Sequence, residues 1–219
     1  MMNSRTTGGI AALYAGCAYI FGFAVLAFLL SPEQAAAWTK AQKLEFLIAN
    51  QTLLSVWNSV IYTLFGIVLV FLTIALDARI SQAQSIGRGA AKVLGFIWAG
   101  LLIASGMIAN VGMQKVITLY PSEPEFAMSL WQTLGAIQDG LGGGVEVIGG
   151  LWVLMISVIA LRSKALPNTL NYIGLLVGIA GCITIVPGLS EAGAVFGLGQ
   201  ILWFLWLSLV LFKHDTARS

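Results

Sequence analysis

The sequence predicts an all-α fold, a polytopic bundle of about six transmembrane helices with two amphipathic helices at the outer interface. Three observations predict it. Hydrophobic residues make up 58% of the 219 and charged residues only 9%, and the mean hydropathy is +0.91. Apolar stretches long enough to cross a bilayer recur along the chain. Basic residues fall on alternate connections between those stretches. Soluble domains carry about 25% charged residues, so a chain this poor in charge cannot coat itself with a water-facing surface, and lipid is its expected solvent.

A membrane span needs about 20 mostly apolar residues. Residues 10–30, 57–76, 93–116, 141–161, 170–187 and 195–212 qualify, and they account for residues 1–219 as a single transmembrane domain. The fifth stretch is short and bounded by Pro167 and Pro187, where a missing N–H matters least. The last two stretches form a tight hairpin through residues 188–192. At the N-terminus, Arg5, the apolar run and Ala35-Ala36-Ala37 imitate a signal peptide. That run exceeds the roughly 7–15 residues of a signal core, so it is expected to be retained as the first span. The stretch Leu13-Tyr14-Ala15-Gly16-Cys17 imitates a lipoprotein box, but the bulky Tyr14 and the short apolar segment before it argue against one.

The charges set an orientation. Arg5, then Arg79, Arg88 and Lys92, then Arg162 and Lys164, then Lys213 and Arg218 lie on one side and make up 8 of the 11 basic residues. Glu33, Glu45, Glu123, Glu125 and Glu191 lie on the other, with Lys40 and Lys43. The positive-inside rule places both termini in the cytoplasm, which requires an even number of spans. The expected location is a bacterial inner membrane. The net charge of +2 carries no basic stripe, so no nucleic acid is expected as a partner.

Two outer connections are longer than a turn. In the first, Trp38, Ala41, Leu44, Leu47 and Ile48 recur at helical spacing, with Lys40, Gln42, Lys43, Glu45 and Gln51 on the other face. In the second, Phe126, Leu130, Trp131, Leu134 and Ile137 make a similar stripe. Residues 33–49 and 125–138 are therefore expected to be interfacial helices. The alternative is a span helix that projects beyond the bilayer. The order span, outer helix, span occurs twice, and the second and fourth spans end alike in Ile74-Ala75-Leu76 and Ile159-Ala160-Leu161. This suggests two related pairs followed by a closing hairpin.

The pairs Gly140 and Gly144, Gly174 and Gly178, and Gly193 and Gly197 have small-xxx-small spacing. Such pairs let helices approach closely in lipid, either within one bundle or between copies. Cys17 and Cys182 both sit in apolar runs, where a thiol behaves as a small hydrophobe. A disulfide framework or a metal site is not expected from them.

The fourth span opens with Gln138-Asp139-Gly140-Leu141-Gly142-Gly143-Gly144-Val145-Glu146. Asp139 and Glu146 are seven apart and would share a face of a regular helix. Carboxylates inside a span are candidates for function because they are costly there. Asn110, Gln114 and Lys115 come from the third span, Asn58 from the second and Gln200 from the sixth. On a functional reading these residues form a polar pocket open to the outside, with Lys115 paired to Asp139 or Glu146. On a structural reading Glu146 bonds Asn110 and Gln114 and glues two helices together. Other chemistries fail for want of residues. The one histidine, His214, lies beyond the last span, which excludes bis-histidine haem ligation and histidine-based triads. No cofactor is expected. Asn50-Gln51-Thr52 fits a glycosylation sequon, discounted in a bacterial chain.

The runs Gly149-Gly150-Leu151-Trp152-Val153-Leu154, Leu161-Arg162-Ser163-Lys164-Ala165-Leu166-Pro167 and Tyr172-Ile173-Gly174-Leu175-Leu176-Val177-Gly178 carry a resemblance. This half of the chain resembles a bacterial family of small six-helix membrane proteins designated domain of unknown function 4386. The resemblance implies the six-span fold and no activity. The leading functional expectation is a non-enzymatic accessory or scaffold subunit, or a binder of a lipid-like molecule. Membrane lipids are its expected partners, with other membrane subunits or further copies docking through the glycine-rich faces. The alternative is a small transporter or ion-coupled carrier using Glu146, Asp139 and Lys115.

Overall fold

The computed structural model describes residues 4–30, 37–82, 86–143 and 146–213. Among the described residues there are nine α-helices and no strand. In chain order they are α1 (Ser4–Val25), α2 (Lys40–Ala49), α3 (Gln51–Asn58), α4 (Phe65–Arg79), α5 (Ile86–Leu119), α6 (Pro124–Gln138), α7 (Val147–Ser163), α8 (Asn168–Ile183) and α9 (Ala192–Phe212). Three π-helical segments adjoin them: Leu26–Leu30 after α1, Ser59–Leu64 between α3 and α4, and Asp139–Gly143 after α6.

Five stretches are long and apolar enough to cross a membrane: Ser4–Phe28, Gln51–Arg79, Ile86–Leu119, Pro124–Ser163 and Ala192–Phe212. The fifth span expected from sequence, α8, is also an apolar helix but is shorter. Its end is set by the turns before Pro187, and its start by Pro167, which is its N-cap.

The long helices close into a ring. α1 packs on α4, α4 on α5, α5 on α7, α7 on α8, α8 on α9, and α9 back on α1. The ring is filled by large aromatic side chains. Trp98, Trp152, Trp203, Phe196 and Phe204 are fully buried, and Trp98, Trp152 and Trp203 follow one another with ring centroids 5.6 and 6.0 Å apart. The outside is apolar as well: Ile10, Ile67, Phe71, Leu176, Leu198 and Leu202 are exposed around the ring. In water such a surface would drive association; in acyl chains it is already solvated.

Glycine sets the closest approach. A Cβ on Gly178 would lie 2.8 Å from the Gly150 carbonyl oxygen, and one on Gly150 would lie 2.7 Å from the Gly178 carbonyl oxygen. α7 and α8 therefore touch backbone to backbone. Gly174, a turn from Gly178, packs on Ser157 and Trp203, and Gly197 packs on Phe23. These expected glycine faces are spent inside the bundle, whereas Gly140 meets open space.

Both expected outer segments hold a helix, α2 and α6, but α2 starts only at Lys40: residues 37–39, expected within the first helix, are a turn leading to the Thr39 cap. Thr39 caps α2: its Oγ1 accepts from the Gln42 N–H at 3.3 Å while Gln42 Oε1 accepts from the Thr39 N–H at 2.8 Å. Asn50 ends α2 by donating Nδ2 to the Phe46 carbonyl at 2.9 Å. Residues 31–36, where the first outer helix was expected to begin, lie outside the described residues. α2, α3 and α6 build a second core against the end of α5, from Leu44, Leu47, Leu54, Met113, Val116, Ala127 and Met128. α5 has 34 residues, about 51 Å at 1.5 Å per residue, against a hydrocarbon layer of about 30 Å. Its last turns are the post on which α2 and α6 rest.

The other end of the bundle is tied by charge. Asp77 receives Arg88 Nε at 2.7 Å and Lys92 Nζ at 3.2 Å, and Arg79 Nε donates to the Ala165 carbonyl at 3.2 Å. Lys164 at φ +53° ends α7 in the left-handed conformation common after helices.

Candidate functional site

A cavity of about 460 Å³ opens at the end of the ring where α1 finishes and where α4, α7 and α9 begin. Its size falls within the roughly 300–1,000 Å³ of small-molecule sites. Tyr19 and Phe23 come from α1, Trp57 from α3, Tyr62 from the π-helical segment and Phe65 from the first turn of α4. Glu146 stands at the entrance to α7 and Glu191 at the entrance to α9. Among the described residues, the lining includes no Lys, Arg or His.

The aromatic walls are held by local structure. The Trp57 indole donates Nε1 to the Gly22 carbonyl at 3.3 Å and meets Tyr62 edge-on, with centroids 6.3 Å apart. Tyr19 packs edge-on against Phe65 at 5.5 Å. Phe65 in turn contacts Trp98 and Phe204, each at 5.9 Å. The cavity floor is thus the top of the aromatic core, and the cavity reaches one end of the ring.

Glu146 is fixed through its backbone. Its N–H donates to Thr184 Oγ1 at 2.8 Å, and Thr184 Oγ1 donates to the Gly181 carbonyl at 2.7 Å. The end of α8 therefore sets the start of α7. The Glu146 carboxylate makes no hydrogen bond or ion pair among the described residues, and it lines the cavity together with Tyr19 and Tyr62.

The other residues singled out from sequence lie elsewhere. Asn110 turns toward the second span: Nδ2 donates to Ser59 Oγ at 3.0 Å and to the Ser55 carbonyl at 3.3 Å, and Oδ1 accepts from Asn58 Nδ2 at 3.3 Å. Gln114 and Lys115 are exposed on α5, and Lys115 has no ion pair among the described residues. Asp139 is exposed in the π-helical segment after α6. Its seven-residue spacing from Glu146 does not give a shared helix face, because Gly142 at φ +121° interrupts the helix between them. Glu146 alone of the five lines the cavity.

The aromatic wall was not singled out from sequence. Its signal was the run of Tyr and Trp near the outer ends of the first two spans, which also fits an interfacial belt. Among the described residues no group of three or more His, Cys, Asp or Glu could hold a metal ion. Compared with family models, with curated proteins and with solved structures, the chain matches none.

Proposed function

We propose that the chain is a six-span integral protein of a bacterial inner membrane, non-enzymatic, that binds a small hydrophobic or lipid-like molecule in the Glu146 cavity. Both termini face the cytoplasm and the cavity opens on the outer side. The cavity itself carries the reading: a small-molecule volume walled by Tyr19, Phe23, Trp57, Tyr62 and Phe65, with the carboxylates of Glu146 and Glu191 in its lining. Apolar walls with a few fixed polar groups are the usual build of such a site. The six-span count rests on α8 packing between α7 and α9 as a member of the ring.

An ion-coupled carrier would need a path to the far end. Phe65 packed on Trp98 and Phe204 closes that path below the cavity. Lys115 and Asp139 are exposed and do not line it, so three residues of one carrier site are not assembled. Both observations favour binding over transport. The test is mass spectrometry of small molecules that co-purify with gently extracted protein. Wild type is expected to carry one defined apolar molecule near stoichiometry, and Ala194→Trp, which places an indole in the cavity lining, is expected to lose it. Bulk lipid alone in both preparations overturns the reading.

A further inference from the structure

We propose that the cavity selects lipophilic cations, organic amines or quaternary onium ions bearing apolar arms, with Glu146 as their counter-charge. The proposal rests on the cavity being a binding site and names the chemistry of its ligand.

The charge of the lining is one-sided. Glu146 and Glu191 contribute carboxylates, and no basic residue lines the cavity among the described residues. A carboxylate in apolar surroundings is costly unless it is paired. Glu146 has no pairing group of its own among the described residues, and its backbone is clamped to Thr184 at 2.8 Å. The backbone that carries the carboxylate is therefore fixed, and the carboxylate's own bonding capacity is open.

The walls suit an organic cation in particular. Tyr19, Trp57, Tyr62 and Phe65 line the same cavity as Glu146, and aromatic faces attract cations, tryptophan most strongly. Their rings are fixed by the Trp57–Gly22 hydrogen bond and by edge-on packing, so they need no reordering on binding. An inorganic cation fits poorly. Calcium and magnesium take about six or more oxygen ligands, and aromatic carbon dominates here. An onium ion needs one counter-charge and a soft apolar shell, which this cavity supplies.

The experiment measures equilibrium binding of three probes of similar shape to the full chain in nanodiscs of zwitterionic lipid. The probes are tetraphenylphosphonium, neutral triphenylphosphine oxide and anionic tetraphenylborate, with empty nanodiscs as background. Saturable tetraphenylphosphonium binding, preferred over the neutral and anionic probes, is expected. Glu146→Gln should collapse the cation-to-neutral preference by at least about tenfold, as expected when a charged partner is lost, and Glu146→Asp should restore part of it. A preference unchanged by Glu146→Gln, or equal binding of the three probes, overturns the cation assignment. If the neutral probe binds saturably, is excluded by Ala194→Trp, and the cation does not bind, the assignment falls and the cavity reading stands. If none of the three binds saturably, both fall. Circular dichroism and a monodisperse elution profile confirm that each variant is folded before binding is compared.

Discussion

Asn110 and Gln200 are both amides inside the ring, and their surroundings are opposite. Asn110 uses both ends of its side chain, donating to Ser59 and Ser55 and accepting from Asn58. Asn110→Ala should lower stability by about 1–2 kcal/mol, the range for interhelical hydrogen bonds in model peptides. Gln114→Ala and Lys115→Ala, at exposed sites, should stay within about 0.5 kcal/mol. The midpoint of unfolding in mixed micelles of rising denaturing-detergent fraction reads all three, and an unmoved Asn110→Ala midpoint would remove the gluing role. Gln200 is fully buried, and neither atom of its amide has a hydrogen-bond partner among the described residues. An unsatisfied buried amide costs about 1–3 kcal/mol, so Gln200→Met, of similar shape, should raise the same midpoint. A fall would show that the amide is used. Sequence reasoning recognised Asn110, Glu146 and Gln200 as the polar minority of the spans. It expected Glu146 to bond Asn110, whereas Asn110 bonds Ser55, Asn58 and Ser59, because hydropathy reports depth in the bilayer and not the direction a side chain takes around its helix.

Among the elements, the α7–α8 hairpin has the tightest tolerance. Gly150 and Gly178 face each other's backbone at distances no Cβ tolerates, and backbone cannot move aside as a flexible side chain does. Gly178→Ala should therefore destabilise by about 1–3 kcal/mol, the usual cost of overpacking. Gly140→Ala, with nothing within 4 Å of the new methyl, should leave the unfolding midpoint nearly unchanged. Equal effects at the two sites would mean that the hairpin can splay. The small-xxx-small spacing of Gly174 and Gly178 was visible in sequence, and so were the stripes of α2 and α6. The π-helical entries were not. One such segment, Ser59–Leu64, joins α3 to α4, and another, Asp139–Gly143, follows α6. A one-residue change in helical repeat leaves no mark on apolar periodicity, yet it sets Tyr62 into the cavity wall and parts Asp139 from Glu146. Among the described residues, Gly142 at φ +121° marks the break after α6, and glycine is too common in this chain, at 25 residues, to single it out.

At the scale of the whole molecule, the two ends of the ring differ in chemistry, and that difference gives the proposed orientation its test. One end holds the Asp77–Arg88–Lys92 cluster and the Arg79 contact to Ala165. The other holds the cavity with Glu146 and Glu191, and the α2–α6 cap on α5. Hydropathy and charge together made this division legible, since both act through the bilayer itself: the apolar runs set where chain crosses, and basic residues resist translocation. The closing of α9 onto α1 was not legible, because contacts between helices distant in sequence are chosen by packing. If six spans alternate and the basic end is cytoplasmic, single cysteines divide by side. In a chain with Cys17 and Cys182 replaced by serine, a membrane-impermeant maleimide added to intact cells should label Ser122→Cys, in the turn between α5 and α6, and Ser190→Cys, in the turn between α8 and α9. Ser81→Cys, after α4, and Ser163→Cys, at the end of α7, should label only once the membrane is opened. Ser81, Ser122 and Ser190 are exposed in the fold, so protection there would report the membrane and not burial. The reverse pattern would invert the protein and turn the cavity toward the cytoplasm. Labelling of Ser122→Cys with protection of Ser190→Cys would take α8 out of the set of crossings and leave five, because the chain from α7 onward would then emerge on the other side.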